Sequence, residues 1–266
     1  MSLFLLLSLR ENEAVAASEY RDFVQATGLN REQLEQRIFD SADFRVGDVS
    51  EYSGVFVGGS SLNMSNAQYS DWQRAVVREL TELIDSPTPV FFTCFGTGLI
   101  AQVLGGSIGH EHAEETSASR VEITAAGSTD PVFGALPGSF AAFTGHTECV
   151  ASLPEGVTVV ASGPTCPVQA LRVGQHTWST QFHPEVNIEG MARRMNFYRD
   201  HGYFRDEEYE QIVESLRGVD TAPAHQILRN FVGYCEARRG ARALSTVNTA
   251  STEGEADYTI KACTRS

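Results

Sequence analysis

No two of the five cysteines, at 94, 149, 166, 235 and 263, fall in a CxxC spacing, and their number is odd. That argues against a disulfide framework and against a cysteine-built zinc site, and a reducing cytoplasm fits best. Positive charge is scarce too: 20 Lys+Arg against 34 Asp+Glu leave a formal net charge of -14, which repels nucleic-acid phosphates and anionic membrane surfaces. Neither nucleic acid nor membrane is therefore expected as a partner. No apolar run approaches the ~20 residues of a spanning helix. The opening run Leu3 to Leu9 lacks the preceding basic residue of a secretory signal and is followed by Arg10, Glu11 and Glu13, so it reads as a buried first strand. There is no internal repeat and no nucleotide-binding motif; Gly127-Ser128-Thr129-Asp130 lacks the glycines of a phosphate loop. No cofactor is expected.

What is present is an alternation of strand and helix signals. After Leu3 to Leu9 the pattern predicts helices from about Ala14 to Thr27 and from about Arg31 to Phe39, the second capped by Asn30. A buried strand, Val55 to Val57, ends in Gly58-Gly59-Ser60-Ser61, and a helix from Ala67 to Ile84 is fenced by Pro87 and Pro89 from the strand Val90 to Thr93. Phe95 to Leu104 is helical and stops at Gly105-Gly106. This predicts an α/β fold, a mostly parallel sheet flanked by helices, with ligands at the carboxyl ends of its strands. From Arg120 to Phe182 short strands with turn signals predict a smaller antiparallel section. Helices resume at about Gly190 to Asp200, Asp206 to Arg217 and Ala224 to Arg239. One domain is expected over 1–240, and 241–266, rich in Ser, Thr, Ala and Glu without apolar periodicity, reads as a disordered tail.

Three segments carry candidate chemistry. Cys94 stands where an apolar strand turns abruptly into a helix, a setting that lifts a nucleophile out of the sheet and offers helix N-terminal N–H groups to a thiolate and an oxyanion. A cysteine among phenylalanines is equally a small buried hydrophobe. In Gln181-Phe182-His183-Pro184-Glu185 the proline keeps His183 extended, so imidazole and carboxylate, two apart, share one side. Such a pair suits a base serving a thiol, or a structural histidine at a turn. Gly58-Gly59 ends another strand, where a bare backbone could aim an N–H at an oxyanion or simply turn. His110-Glu111-His112, in a Gly- and Glu-rich loop, reads as solvated surface rather than a metal site.

Glycine pair, elbow cysteine and His-Pro-Glu, in that order, resemble the class I glutamine amidotransferase family over roughly Ser2 to Tyr203, most closely stand-alone members similar to the amidotransferase half of GMP synthase. Gly145-His146-Thr147-Glu148 resembles the family's SHGD-like segment, and Thr177 to Gln181 its approach to the His-Pro-Glu motif. The resemblance implies a flavodoxin-like fold and a catalytic triad of Cys94, His183 and Glu185, with Gly59 and Phe95 supplying the oxyanion hole. It further implies substrate contacts at Gly58, Ser60, Gly98, His146 and Thr147. The substrate would be glutamine, its ammonia passing to a separate synthetase partner; a γ-glutamyl amide and a non-catalytic binding role are the alternatives. Two positions depart from the family pattern: Phe92 replaces a glycine two residues before the nucleophile, and Gly98 replaces a glutamine four residues after it.

Overall fold

Five consecutive buried residues, Phe4–Ser8, form strand β1, which is flanked by β2 (Leu34–Ile38) and β3 (Gly54–Val57), both parallel to it. The computed structural model describes residues 2–198 and 206–254. Beyond β3 the parallel order continues through β4 (Val90–Thr93) to β11 (Thr177–Thr180). From β11 the same sheet runs on antiparallel through β10 (Ala170–Val173), β9 (Val157–Ser162), β6 (Glu114–Ile123) and β7 (Ser139–His146). Among the described residues this makes a nine-stranded sheet in the order β2-β1-β3-β4-β11-β10-β9-β6-β7, beside a two-stranded sheet of β5 (Ser107–Gly109) and β8 (Cys149–Ser152). The expected α/β class is thus observed, a parallel half extended by an antiparallel one.

Strand alternation sends side chains to two cores. Leu5, Leu7, Val57 and Phe92 pack with α2 (Asp71–Ile84) and α3 (Phe95–Val103) on one face. Phe4, Leu6, Phe56, Phe91 and Trp178 pack on the other with α1 (Glu13–Thr27) and the start of α6 (Ala222–Gly254), whose Phe231 meets three of those rings edge-on. A third, smaller cluster joins α4 (Ile188–Phe197) and α5 (Tyr209–Leu216) to Phe143 of β7. Each core removes large apolar side chains from water, and each such side chain contributes about 1.5–3 kcal/mol.

Some expectations need correction. Residues 31–39 do not form a helix. Asn30 Oδ1 does accept from the amides of Glu32 and Gln33, both at 3.0 Å, as a helix cap would, but the chain then pairs with β1 over five positions as β2. Gln36 Nε2 fixes it further by donating to Ser8 Oγ and to the carbonyl of Ala16, both at 2.8 Å. A helix of about nine residues is marginal alone, and the ladder outweighs it. Helix α2 starts at Asp71 rather than 67, because Ser70 Oγ caps the amide of Gln73 at 3.0 Å. Strand β6 begins six residues earlier than Arg120, at Glu114, and β7 was not anticipated. The backbone of α6 remains helical to Gly254, where an unstructured tail was expected from 241; residues 255–266 of that tail lie outside the described residues.

The docked part of α6 ends near Arg239, whose Nη1 donates to Ser53 Oγ at 3.0 Å. Truncation after Gly240 should therefore shift the midpoint of thermal unfolding by no more than about 3 °C. A larger drop in a melting experiment would mean that 241–266 contribute to the fold.

Candidate active site

Strand β4 ends at Thr93 and α3 starts at Phe95, so Cys94 alone makes the turn. It does so at φ 47° and ψ -94°, and among the described residues it is the only non-glycine with positive φ. Such a conformation costs of order 1–3 kcal/mol. The amide of Cys94 is held by the carbonyl of Thr180 at 2.6 Å, and its own carbonyl accepts from Thr97 at 2.9 Å, opening the helix. Gly96 is indispensable here: a Cβ on it would stand 2.4 Å from Phe92 Cβ. The bulk of Phe92 is thus accommodated by the missing side chain at 96, with Phe92 itself buried in the core. Burial pushes the Cys94 thiol up to about 11, offset in part by the nearby guanidinium of Arg194 and by the Phe95 amide.

His183 follows β11, its amide bonded to the carbonyl of Phe143 at 2.8 Å. Its Nδ1 lies 2.9 Å from Glu185 Oε1 and 2.7 Å from Arg194 Nη1, while Arg194 Nη2 donates to the same Oε1 at 2.8 Å. A guanidinium nitrogen only donates, so Nδ1 faces one acceptor and one donor. The tautomer with its proton on Nδ1 satisfies Glu185 and leaves Nε2 free to take a proton. Burial lowers His183 from its ordinary value, Arg194 lowers it further, and Glu185 opposes both. Burial alone would raise Glu185, yet His183 and Arg194 hold it far below the usual carboxylate range.

Beneath this group lies a second layer of buried charge. Arg10, at the carboxyl end of β1, donates through Nη2 to Glu19 Oε1 at 2.7 Å and through Nη1 to the hydroxyl of Tyr198 at 3.1 Å. Gly58 packs on that pair, since a Cβ there would meet Glu19 Oε1 at 2.5 Å. A Cβ on Gly59 would stand 3.0 Å from His183 Cε1 and 3.7 Å from Cys94 Cβ, so its backbone lies directly against both. Arg193 holds Asp22 at 2.7 Å, and burial lifts Asp22 to about 6 despite the neighbouring Arg194 and Arg193.

Cys94 opens on two chambers. One, of about 390 Å³, includes Phe95, Gly98, His146, Thr147 and Gln181 in its wall. Its far side is built on Glu114, which accepts from His146 Nε2 (2.9 Å), Ser119 (2.7 Å), Thr144 (3.1 Å), Gln169 (2.9 Å) and Thr165. Burial opposes its ionisation, but these donors, His146 foremost, bring it down to about 2. His146 Nδ1 in turn meets the carbonyl of Glu148 at 2.8 Å, and the Glu148 carboxylate accepts from the amides of Met64 (2.8 Å) and Ser65 (2.6 Å), clamping the loop after Ser60 over the chamber. The other chamber, about 570 Å³ including its mouth, includes Arg10, Thr116, His183, Met195 and Tyr198 in its wall.

The structure therefore gathers Cys94, His183, Glu185, Gly59 and Phe95 at one point, with Ser60, Gly98, His146 and Thr147 around the smaller chamber. Gly58 lines neither chamber and serves the Arg10–Glu19 pair instead. His110 and His112 are engaged by the carbonyls of Thr147 (2.8 Å) and Thr165 (3.0 Å), and the described residues contain no group that could hold a metal ion. Sequence reasoning missed Arg10, Glu114, Glu148 and Arg194, and it missed the contact of Gln181 Nε2 with Cys94 Sγ at 3.9 Å. Only Arg10 carried a local signal, a charge directly after a buried strand at its carboxyl end.

Residues 30–208 match the model of the family Glutamine amidotransferase class-I. The chain is 27% identical over 201 residues to a GMP synthase [glutamine-hydrolyzing] of Clostridium botulinum, covering 67% of this chain and 37% of that protein. It is 30% identical over 173 residues to Gamma-glutamyl peptidase 3 of Arabidopsis thaliana, covering 63% and 68%. In fold it is similar to a glutamine amidotransferase from Thermotoga maritima, with a TM-score of 0.71 at 19% identity over 88% of this chain and 98% of that one. It is also similar to a glutamine amido transferase from Methylobacillus flagellatus, with a TM-score of 0.62 at 17% identity over 87% and 94%.

Because Arg194 lowers the thiol of Cys94, Arg194→Met should displace the pH dependence of Cys94 alkylation by iodoacetamide to higher pH. Each unit of displacement slows alkylation near pH 8 about tenfold. Peptide mass mapping of Cys94 against pH reads this out, and a superimposable profile would reduce Arg194 to a wall residue.

Proposed function

Given that the chain belongs to the class I glutamine amidotransferase family of cysteine-dependent amide hydrolases, we propose that Cys94, His183 and Glu185 hydrolyse the side-chain amide of glutamine to glutamate and ammonia. The observation that carries the reading is the Cys94 elbow standing between two chambers beside a buried imidazole–carboxylate pair. The thiolate attacks the carboxamide carbon, and the amides of Gly59 and Phe95 stabilise the tetrahedral oxyanion. One such donor is worth about 2.7–4 kcal/mol in enzymes of this kind. His183, having taken the thiol proton, delivers it to the departing nitrogen and then activates water against the γ-glutamyl thioester. Glu185, itself held by Arg194, fixes the ring and stabilises its cation.

The chain spans about a third of the length of the GMP synthases it matches, 37% for that of Clostridium botulinum. We therefore assign the ammonia to a separate synthetase as acceptor. Cys94, Cys149, Cys166 and Cys235 are free, and no described helix is long and apolar enough to cross a membrane, which supports a cytoplasmic site of action. A second reading, hydrolysis of a larger γ-glutamyl amide, is favoured by the size of the chamber on the His183 side and by the bare position at Gly98.

Cys94→Ala should reduce hydrolysis of glutamine to background, and adding His183→Ala should make it scarcely worse, because residues acting in one step are not additive. Multiplying losses in steady-state assays would separate the two residues mechanistically. Gly98→Gln tests the glutamyl-binding side. A Cβ there meets only Ile108 (3.6 Å), Met64 (3.8 Å) and Glu148 (3.9 Å), all at ordinary contact distance. The added amide should lower the glutamine KM about 2- to 10-fold, the equivalent of roughly 0.5–1.5 kcal/mol for one hydrogen bond. An unchanged KM would mean that position 98 does not face bound substrate.

A further inference from the structure

We infer that the chamber on the His183 side of Cys94 is a leaving-group site for an amine much larger than ammonia: the second residue of a γ-glutamyl dipeptide, with an apolar side chain and a free carboxylate. The inference rests on the hydrolytic reading above and names its substrate class.

Position argues first. His183, the group that protonates the departing nitrogen, lines this chamber and not the smaller one, whereas Phe95 and Gly98 line the smaller one and not this. A substrate whose oxyanion meets Phe95 therefore places its glutamyl end in the smaller chamber and its leaving group here. Size argues next. Ammonia, like water, needs about 30 Å³, and the chamber offers about 570 Å³ with its mouth. Its wall includes Met191, Met195 and Tyr198, and thioether side chains adapt to irregular apolar shapes. The polar part is specific. Arg10 is 6% exposed and lines the chamber; its Nη2 is taken by Glu19 and its Nη1 meets Tyr198, but its Nε is buried without an acceptor. Arg194, also in the wall, adds a second guanidinium. A buried donor without a partner costs about 1–3 kcal/mol, and an incoming carboxylate would remove that cost.

The chemistry balances without any further reactant. Cys94 Sγ bonds to the γ-carbon as thiolate, and the bond from that carbon to nitrogen breaks. The proton taken by His183 passes to the nitrogen, and the free amino acid leaves through the chamber mouth. Water then adds to the thioester, loses a proton to His183, and releases glutamate and the thiol.

The test measures kcat/KM of the full chain on glutamine, γ-glutamyl-methylamide and γ-glutamyl-phenylalanine, by amine or ammonia release. γ-Glutamyl-phenylalanine should exceed glutamine about tenfold or more, with the methylamide between them. Thr116→Phe, which narrows the chamber from half-buried β6, should lower the ratio of γ-glutamyl-phenylalanine to glutamine by about tenfold. Glutamine turnover with γ-glutamyl-phenylalanine no better than the methylamide would overturn the leaving-group site and spare the hydrolytic reading. So would a ratio unmoved in a folded Thr116→Phe protein. Hydrolysis of none of the three, or hydrolysis that survives Cys94→Ala, would overturn the hydrolytic reading and the inference with it.

Discussion

The backbone of Cys94, forced to φ 47°, is the constraint on which the rest of the site depends. A strand that ran on would bury the thiol in the sheet, and a gentler turn would carry it away from His183. The turn is held from both sides: Thr180 of the neighbouring strand fixes its amide, and Gly96 lets α3 rise against Phe92. Neither restraint is local to the cysteine. The first requires β4 and β11 in register, from Val90 opposite Thr177 to Thr93 opposite Thr180, and that register is set by the buried faces of both strands. The parallel half of the sheet thus stores the strain that the elbow needs.

The second requirement is electrostatic. Arg10–Glu19, Arg194–Glu185 and Arg193–Asp22 put charges from β1, α1 and α4 around the nucleophile, most of them out of water. Buried pairs of this kind contribute little net stability, but loss of one partner costs about 3–5 kcal/mol, so each pair fixes the relative placement of the elements it joins. α1 and α4 are in this way tied to the end of β1 beneath the cysteine. The arrangement also sets proton affinities: Arg194 favours the thiolate and the neutral imidazole together. A thiol that burial alone holds near 11 needs such help to react near neutral pH.

What the sequence disclosed follows from which interactions are local. β1, β3 and β4 are legible because strands covered on both faces are continuous apolar runs. Cys94, His183 and Glu185 are legible because a strand-to-helix junction and an extended His-Pro-Glu each fix side-chain direction within a few residues. β2 is not: Glu35, Gln36 and Arg37 suit a helix, and only the ladder to β1 and the hydrogen bonds of Gln36 make it a strand. The polar start of β6 and the small residues of β7 likewise hide a pairing that is purely long-range. Arg194, Glu114 and Glu148 act through partners on other elements, so no spacing announces them. The Phe92 departure from the family pattern becomes intelligible only with Gly96 beside it.

The claim that all of this converges on Cys94 as the acyl-accepting nucleophile is tested most directly by a glutamine analogue carrying an electrophilic diazoketone in place of the carboxamide. With the full chain near neutral pH, peptide mass spectrometry should find one adduct per chain, on the peptide containing Cys94. Excess glutamine should suppress it, and Arg194→Met should slow it. Labelling of Cys149, Cys166 or Cys235 instead, or labelling of Cys94 that glutamine does not suppress, would contradict the account.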